Sequence, residues 1–206
     1  MIAVVDYGMG NLRSVSKALE HLGGEVCVTA EPAMVAKAEK LVLPGVGAFK
    51  DAMVELTQRG LVQPILDHIA GGKSFFGICL GLQLLFESSE ENPGVAGLGV
   101  IPGQVRRFQS KQVKIPHMGW NRVDFCKEHP FLANVLNSSF FYFVHSYYGI
   151  PKNPDDVAGF CEYGSDRVTA VLATKNLFAT QFHPEKSQGS GLQILKNFID
   201  WRGQPV

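Results

Sequence analysis

The sequence lacks the features that mark nucleic-acid-binding, membrane and secreted proteins. Its 19 Lys and Arg residues balance 19 Asp and Glu residues, so there is no basic excess to predict nucleic-acid binding. The most apolar segment, residues 75–86, is far shorter than the roughly 20 residues of a membrane-spanning helix. A strand-like run begins at Ile2 with no basic leader before it. We therefore expect neither a secretory signal nor a membrane anchor.

Disulfide, metal and dinucleotide sites are also poorly supported. The four cysteines show no close pairing, which favours a reducing, cytoplasmic location over a disulfide framework. Cys126 and His129 have the spacing of a ligand pair, but no second pair completes a metal site. A Gly-Met-Gly run follows the first strand, yet Arg13 stands where a dinucleotide fingerprint needs its third glycine. We expect no metal and no cofactor.

Alternating strand and helix patterns in the first half predict an α/β fold. We expect a single domain over residues 1–206, built on an open mixed, largely parallel sheet with helices on both faces. Asn11 occupies the capping position of the first helix. Expected strands cover residues 2–5, 25–29, 40–43 and 73–78. Further helices are expected at residues 49–58, 61–69, 80–86 and 191–201, short strands within residues 99–182, and loops at 88–94 and 151–156.

Cys79 lies between a predicted strand and a predicted helix, with Gly77 and Gly81 two residues away on either side. This spacing is typical of the elbow that presents a nucleophile at a strand-to-helix turn. The dipole at the helix N-terminus favours a thiolate, and the N–H of Leu80 can donate to an oxyanion. A buried structural cysteine between two packing glycines is the alternative.

A base with its own carboxylate follows about a hundred residues later, at His183 and Glu185. Pro184 between them pushes His183 towards extended backbone angles, and in an extended chain residues two apart share a face. Glu185 could then hold one imidazole nitrogen while the other faces a thiol, as in nucleophile–base–orienter triads. Spacing alone does not bring this pair to Cys79, and a lone surface histidine is the alternative.

A glycine-rich loop follows the third predicted strand, at Gly45, Val46 and Gly47. Ligands in open α/β sheets bind at the carboxyl ends of strands. The backbone N–H of Val46 could complete an oxyanion hole, although an ordinary strand-to-helix turn would have the same composition.

Taken together, the Cys79 elbow, the His-Pro-Glu triplet and this glycine loop resemble the triad-type, class I glutamine amidotransferases. The resemblance implies that Cys79, His183 and Glu185 hydrolyse a glutamine amide through a thioester, with Val46 and Leu80 as backbone donors to the oxyanion. Residues 141–148 resemble the segment that holds the α-groups of glutamine. The substrate-binding residues implied in this way are Gly45, Gly47, Gln83, His145, Ser146 and Tyr147.

Residues 4–15, 44–49 and 115–121 are similar to the glutaminase subunits of imidazole glycerol phosphate synthases. That resemblance implies a heterodimer with a (β/α)8-barrel cyclase subunit, which would receive ammonia from glutamine and make imidazole glycerol phosphate in histidine biosynthesis. It places Asn11, Met118 and Trp120 at the partner interface, and we expect Lys186 to contact the cyclase.

Three other functions stay open. The same chemistry could feed another acceptor, as in anthranilate or aminobenzoate synthase or in amidination of surface sugars. The chain could be a non-catalytic scaffold that keeps the fold, although the intact triad residues argue against it. A cysteine peptidase is the third possibility. By resemblance, however, Gln83 and the segment from Val144 to Tyr148 fit a pocket for a small amino acid better than a peptide-binding site.

Overall fold

The strands form two sheets in a computed structural model that describes residues 1–202. The strands are β1 Ile2–Val5, β2 Val26–Thr29, β3 Lys40–Gly45, β4 Ser74–Cys79, β5 Phe86–Ser89, β6 Ile101–Arg107, β7 His117–Phe125, β8 Ser139–His145, β9 Tyr147–Pro151, β10 Val157–Tyr163, β11 Asp166–Ala173 and β12 Leu177–Thr180. The helices are α1 Leu12–His21, α2 Pro32–Lys37, α3 Phe49–Gln58, α4 Val62–Ala70, α5 Leu80–Gln83 and α6 Gln188–Asp200.

The larger sheet has nine strands in the order β2-β1-β3-β4-β12-β11-β10-β7-β8. Its first five strands are mutually parallel, and the remaining neighbours pair antiparallel. The smaller sheet has the order β5-β6-β9. The strand-rich second half of the chain thus extends a parallel sheet built mainly by the first half, as its composition predicted.

Alternate residues of the central strands pack against helices on opposite faces of the larger sheet, because successive side chains of a strand point to opposite sides. Val4, Val42 and Phe76 share one core cluster with residues of α1 and α6. Their neighbours Ala3, Leu41 and Phe75 share the other cluster with residues of α2, α3 and α4. The predicted α/β fold, with a mixed sheet and helices on both faces, is confirmed.

Several element boundaries differ from the expectation. The helix expected over residues 80–86 ends at Gln83, and Phe86 opens β5, so the expected loop at 88–94 begins inside a strand. Helix α2 was not expected, and α6 begins at Gln188 instead of residue 191. The expected loop at 151–156 holds the end of β9 and a 3-10 turn. Within residues 1–202, no helix has both the length and the apolar character to cross a membrane.

The topology brings three sequence-distant segments to one edge of the sheet. β4 lies between β3 and β12 and runs parallel to both. Gly45 is level with Cys79, and Ile78 is level with Thr180. The residues that follow these three strands therefore meet at the carboxyl edge, where open α/β sheets bind ligands.

Candidate active site

Cys79 sits on a strained turn between β4 and α5. Its backbone angles are φ 56° and ψ −107°, a region that residues with a side chain rarely occupy. Such a conformation costs on the order of 1–3 kcal/mol and persists only where the surroundings impose it. The Cys79 thiol lies 4.0 Å from the Val144 carbonyl oxygen and 3.7 Å from the side-chain nitrogen of Gln181. The turn thus presents the sulfur to a polar site.

The second glycine of the elbow is required by a close backbone approach. A Cβ on Gly81 would stand 1.9 Å from the carbonyl oxygen of Leu43 in β3. That oxygen belongs to the backbone of a central strand and cannot move aside. The glycine therefore allows α5 to begin directly against the sheet.

His183 and Glu185 lie on the short segment that follows β12. The His183 Nδ1–H donates to Glu185 Oε1 at 2.8 Å, and the side chains are 2% and 0% exposed. His183 has the expected extended backbone, but residues Pro184–Lys186 form a 3-10 turn instead of an extended chain. The two side chains meet because the turn folds Glu185 back. The turn is held to β8 by the bond from His183 N to the Tyr142 carbonyl.

The electrostatics of this pair suit proton transfer. Burial lowers the pKa of His183, but the adjacent Cys79 and Glu185 more than offset burial and raise that pKa above its usual value. Both groups do so by stabilising the imidazolium. The Nε2 atom of His183 is buried without a hydrogen-bond partner among the described residues. Because Cys79 is among the groups that raise the pKa of His183, the thiol lies near enough to exchange a proton with this ring.

A cavity of about 370 Å³ opens beside the thiol. Its lining includes seven of the expected site residues besides Cys79 and leaves out Gly45 and the His183–Glu185 pair. Its expected lining residues are Val46, Gly47, Leu80, Gln83, His145, Ser146 and Tyr147, besides Cys79 itself; Glu91, Pro116 and Val144 complete the wall. The loop after β3 and the first residue of α5 therefore face one cavity with the thiol.

Glu91 was not identified from the sequence, because it falls in the segment that was expected to be a loop. One of its carboxylate oxygens accepts a hydrogen bond from Phe49 N at the start of α3, at 2.9 Å. This contact fixes the carboxylate at the cavity wall and leaves its other oxygen for a ligand. No spacing motif includes Glu91, since β5 and the turn after it bring the residue to the site.

Amide side chains link the cavity floor to the thiol. Gln83 Nε2 donates to the Tyr147 carbonyl at 2.9 Å and to Gln181 Oε1 at 3.1 Å. Gln181 in turn donates to Cys79 Sγ. His145 Nδ1 bonds to the same Tyr147 carbonyl at 2.7 Å. The cavity wall from His145 to Tyr147 is thereby fixed from two sides.

Comparison with known proteins places this geometry in a family. The family described as "Glutamine amidotransferase class-I" matches residues 3–201. The chain belongs to the class I glutamine amidotransferases. It is 52% identical over 206 residues to "Imidazole glycerol phosphate synthase subunit HisH" of Syntrophotalea carbinolica, covering 97% of this chain and 100% of that protein. It is 47% identical to "Imidazole glycerol phosphate synthase subunit HisH 1" of Pseudomonas aeruginosa, covering 98% of each.

Solved structures support the same fold. A structure of PurLQS from Thermotoga maritima matches this amidotransferase with a TM-score of 0.75 at 19% identity, covering 96% of each chain. A structure described as a glutamine amidotransferase matches with a TM-score of 0.74 at 18% identity, covering 96% of this chain and 99% of the other. At this level of identity the match concerns the fold alone.

The amidotransferase also carries an apolar surface near the triad residues. Met118 is 62% exposed and Trp120 47% exposed, although both are large hydrophobic residues. Trp120 contacts the Tyr142 ring edge-on, and Lys186 Nζ lies 5.9 Å from the centre of that ring. The expected interface residues Met118, Trp120 and Lys186 thus lie on or beside one exposed surface. Asn11 differs from them, because its amide bonds to Glu185 and not to the helix it precedes.

A larger groove, of about 800 Å³, lies elsewhere and contains Cys126 and His129 but neither Cys79 nor His183. His129 is engaged with the backbone of Phe131 and Thr174. Among residues 1–202, no three His, Cys, Asp or Glu residues are grouped closely enough to hold a metal ion.

Proposed function

We propose that this chain hydrolyses the side-chain amide of glutamine to glutamate and ammonia, with Cys79 as nucleophile, His183 as base and Glu185 as orienter. The observation that carries the proposal is the meeting of a strained, cavity-facing thiol with a buried imidazole–carboxylate pair. This is the arrangement that activates a thiol for attack on an acyl carbon.

The steps follow from that geometry. With the thiol proton held by His183, the Cys79 sulfur attacks the amide carbon, and the carbonyl oxygen becomes an oxyanion. The N–H groups of Val46 and Leu80 are the proposed donors to it, and one such donor is typically worth a factor of about 10²–10³ in rate. Collapse breaks the C–N bond as His183 protonates the departing nitrogen. Water, deprotonated by His183, then attacks the thioester and releases glutamate and the thiol.

The cavity wall supplies the means to recognise glutamine. Its α-ammonium group carries one positive charge, and Glu91 is the carboxylate of the cavity wall. The backbone of His145, Ser146 and Tyr147 offers donors and acceptors for the α-carboxylate and the amide. Gln83, tied to the Tyr147 carbonyl, sets the position of that wall. Gly45 and Gly47 keep the loop after β3 close to the bound amide.

We propose further that the ammonia passes to a (β/α)8-barrel cyclase subunit, in a heterodimer that makes imidazole glycerol phosphate and an aminoimidazole carboxamide ribotide for histidine biosynthesis. Relatives about 50% identical over nearly their full length are named as subunits of imidazole glycerol phosphate synthase. The exposed Met118 and Trp120, with Lys186 beside them, offer a docking face next to the triad. Residues 1–206 would act as one domain in that complex.

The decisive experiment measures glutamate release from glutamine by the purified chain, alone and with the cyclase and its nucleotide ligand. Strong partner-dependent release that vanishes in Cys79→Ala is expected, while ammonia-dependent synthesis by the complex is retained. Cys126→Ala, in the separate groove, is the matched control and should behave as the wild type. No glutamate release in either condition would overturn the proposal, and turnover that needs a different synthase would identify another acceptor.

A further inference from the structure

Asn11 is the residue directly before α1, but its side chain does not cap that helix. An asparagine at this position ordinarily accepts a hydrogen bond from a helix N–H through its side-chain oxygen. Here the amide nitrogen instead donates to Glu185 Oε1 at 3.2 Å, across 174 residues of sequence. The helix therefore forgoes a cap that Asn11 could provide, and the amide is used at the triad.

Glu185 needs such a donor because of where it lies. Its side chain is fully buried, and Oε1 accepts from both His183 Nδ1 and Asn11 Nδ2. The other oxygen, Oε2, has no hydrogen-bond partner among residues 1–202. A buried carboxylate held by one histidine alone could turn about its side-chain bonds and lose alignment with the ring. The second bond at Oε1 restrains that rotation.

The chemical nature of the donor also matters. A lysine or arginine at this place would neutralise the carboxylate and weaken its stabilisation of the His183 imidazolium. An amide supplies an N–H without a net charge, so the carboxylate keeps its full effect on the histidine. Asn11 thus reaches the Glu185 carboxylate with an N–H donor and adds no charge beside it.

We propose that Asn11 is a positioning residue of the reaction: its amide orients the Glu185 carboxylate, which holds His183 in the tautomer and direction that serve Cys79. The assignment rests on the proposed glutaminase function. It makes the start of α1 part of the catalytic apparatus, beyond the partner contact that its sequence resemblance implies. A merely structural reading, in which Asn11 ties α1 to the 3-10 turn at Pro184–Lys186, is the alternative that the test must separate.

Substitutions by aspartate and by serine together separate the two roles. Asn11→Asp places a second carboxylate where a donor to Glu185 stood. Aspartate caps helices as well as asparagine does, but the like charge beside the buried Glu185 should lower the melting temperature. We expect the kcat of the cyclase-activated glutaminase to fall by about 10-fold or more. A loss of this size is typical when a residue that orients a metal-binding side chain through a hydrogen bond is replaced. The KM for glutamine should change much less, because Asn11 lies outside the cavity wall.

Asn11→Ser and Asn11→Ala complete the series. Serine keeps a capping side chain but is too short to reach Glu185, so both variants should lose kcat whether or not the helix is capped. Lys17→Ala, on the exposed side of α1, is the matched control and should retain the wild-type rate. Ammonia-dependent synthesis should be unaffected in every variant.

The outcomes are distinguishable. Wild-type kcat in folded Asn11→Asp or Asn11→Ser would overturn the positioning role while leaving the glutaminase proposal intact. Rates that simply follow the melting temperature across the series would support the structural reading and would also overturn the positioning role. Absence of glutamate release from the wild-type complex would instead remove the proposed function on which the inference rests.

Discussion

His117 and His145 are hydrogen-bonded to each other through their rings, with 3.1 Å between His117 Nδ1 and His145 Nε2. Both are buried, and burial lowers the pKa of His117 to about 4 and that of His145 to about 3. Both rings are therefore neutral at pH 7. Since His145 Nδ1–H donates to the Tyr147 carbonyl, its Nε2 must accept, and His117 must donate from Nδ1. One tautomer of each ring is thereby fixed beneath the cavity wall.

This pairing predicts a role for His117 in glutamine binding. His117→Phe keeps an aromatic ring stacked on Phe143 and Tyr163 but removes the donor to His145. A neutral hydrogen bond is worth about 0.5–1.5 kcal/mol, so the KM for glutamine should rise roughly 3- to 10-fold. Steady-state glutaminase kinetics of the cyclase complex measure this change.

The matched variant is His117→Asn, whose amide nitrogen can replace Nδ1 as the donor. It should recover part of the lost affinity even though it stacks less well. If the phenylalanine variant bound glutamine as well as the wild type did, the histidine pair would have no part in shaping the cavity.

Stability should fall in mild acid. The pKa values of His68, His117, His129 and His145 are all lowered by burial, so below about pH 6.5 the unfolded chain binds protons that the folded chain does not. The raised pKa of His183 acts oppositely, but its contribution is already complete below pH 6.5 and is lost only at higher pH. The free energy of unfolding should therefore decrease from pH 7 to pH 5.

Urea denaturation at constant ionic strength measures this dependence. His129 lies outside the candidate site, and His129→Gln should make the dependence shallower whatever its effect at pH 7. An unfolding free energy that stays flat or increases towards pH 5 would contradict the assignment of these histidines as neutral in the folded chain.

Gly81→Ala should disrupt the elbow. The added Cβ would meet the Leu43 carbonyl oxygen at 1.9 Å, and overpacking of this kind typically costs about 1–3 kcal/mol. Both the free energy of unfolding and the glutaminase rate should drop. Gly189→Ala in α6, where the new Cβ meets nothing within 4 Å, is the control and should be neutral or stabilising. Equal behaviour of the two variants would argue against close packing at the elbow.

Glu91→Gln should weaken glutamine binding more than turnover. The substitution keeps an acceptor for Phe49 N but removes the negative charge proposed to meet the α-ammonium group. An increase in KM of about 10-fold or more is expected, in line with charged hydrogen bonds worth about 1.5–3 kcal/mol. Ammonia-dependent synthesis should not change. Glu90→Gln removes the neighbouring exposed carboxylate and should leave KM as it is.

The features of this chain that repeat along the sequence could be predicted, and those made by distant contacts could not. The parallel strands and the helices predicted at residues 49–58 and 61–69 follow from short apolar runs and helical periodicity. The apolar run at Leu84 to Phe86 has no such marker, because a buried strand and a buried helix look alike over so few residues. In the sequence pattern this run continues the helix that begins at Leu80. In the structure the helix ends at Gln83 and the run leads into β5.

The start of α6 shows a second limit. The sequence predicted a helix that begins at Gly191, whereas α6 begins at Gln188 and contains Gly191. A Cβ on Gly191 would stand 2.1 Å from the Pro184 carbonyl oxygen. Close packing against the triad turn, and not local propensity, fixes the residue type. For the same reason the sequence could suggest Cys79, His183 and Glu185 from their neighbours, while Glu91 and the bond from Asn11 to Glu185 exist only in the folded chain.

The position of β12 has a consequence for biosynthesis of the enzyme. This strand fills the middle of the nine-stranded sheet, between β4 and β11, although it is encoded near the end of the chain. A growing chain on the ribosome therefore holds the thiol and the glycine loop long before it holds the histidine and its carboxylate. The proposed nucleophile therefore gains its proposed base only after β12 has been synthesised and has paired with β4.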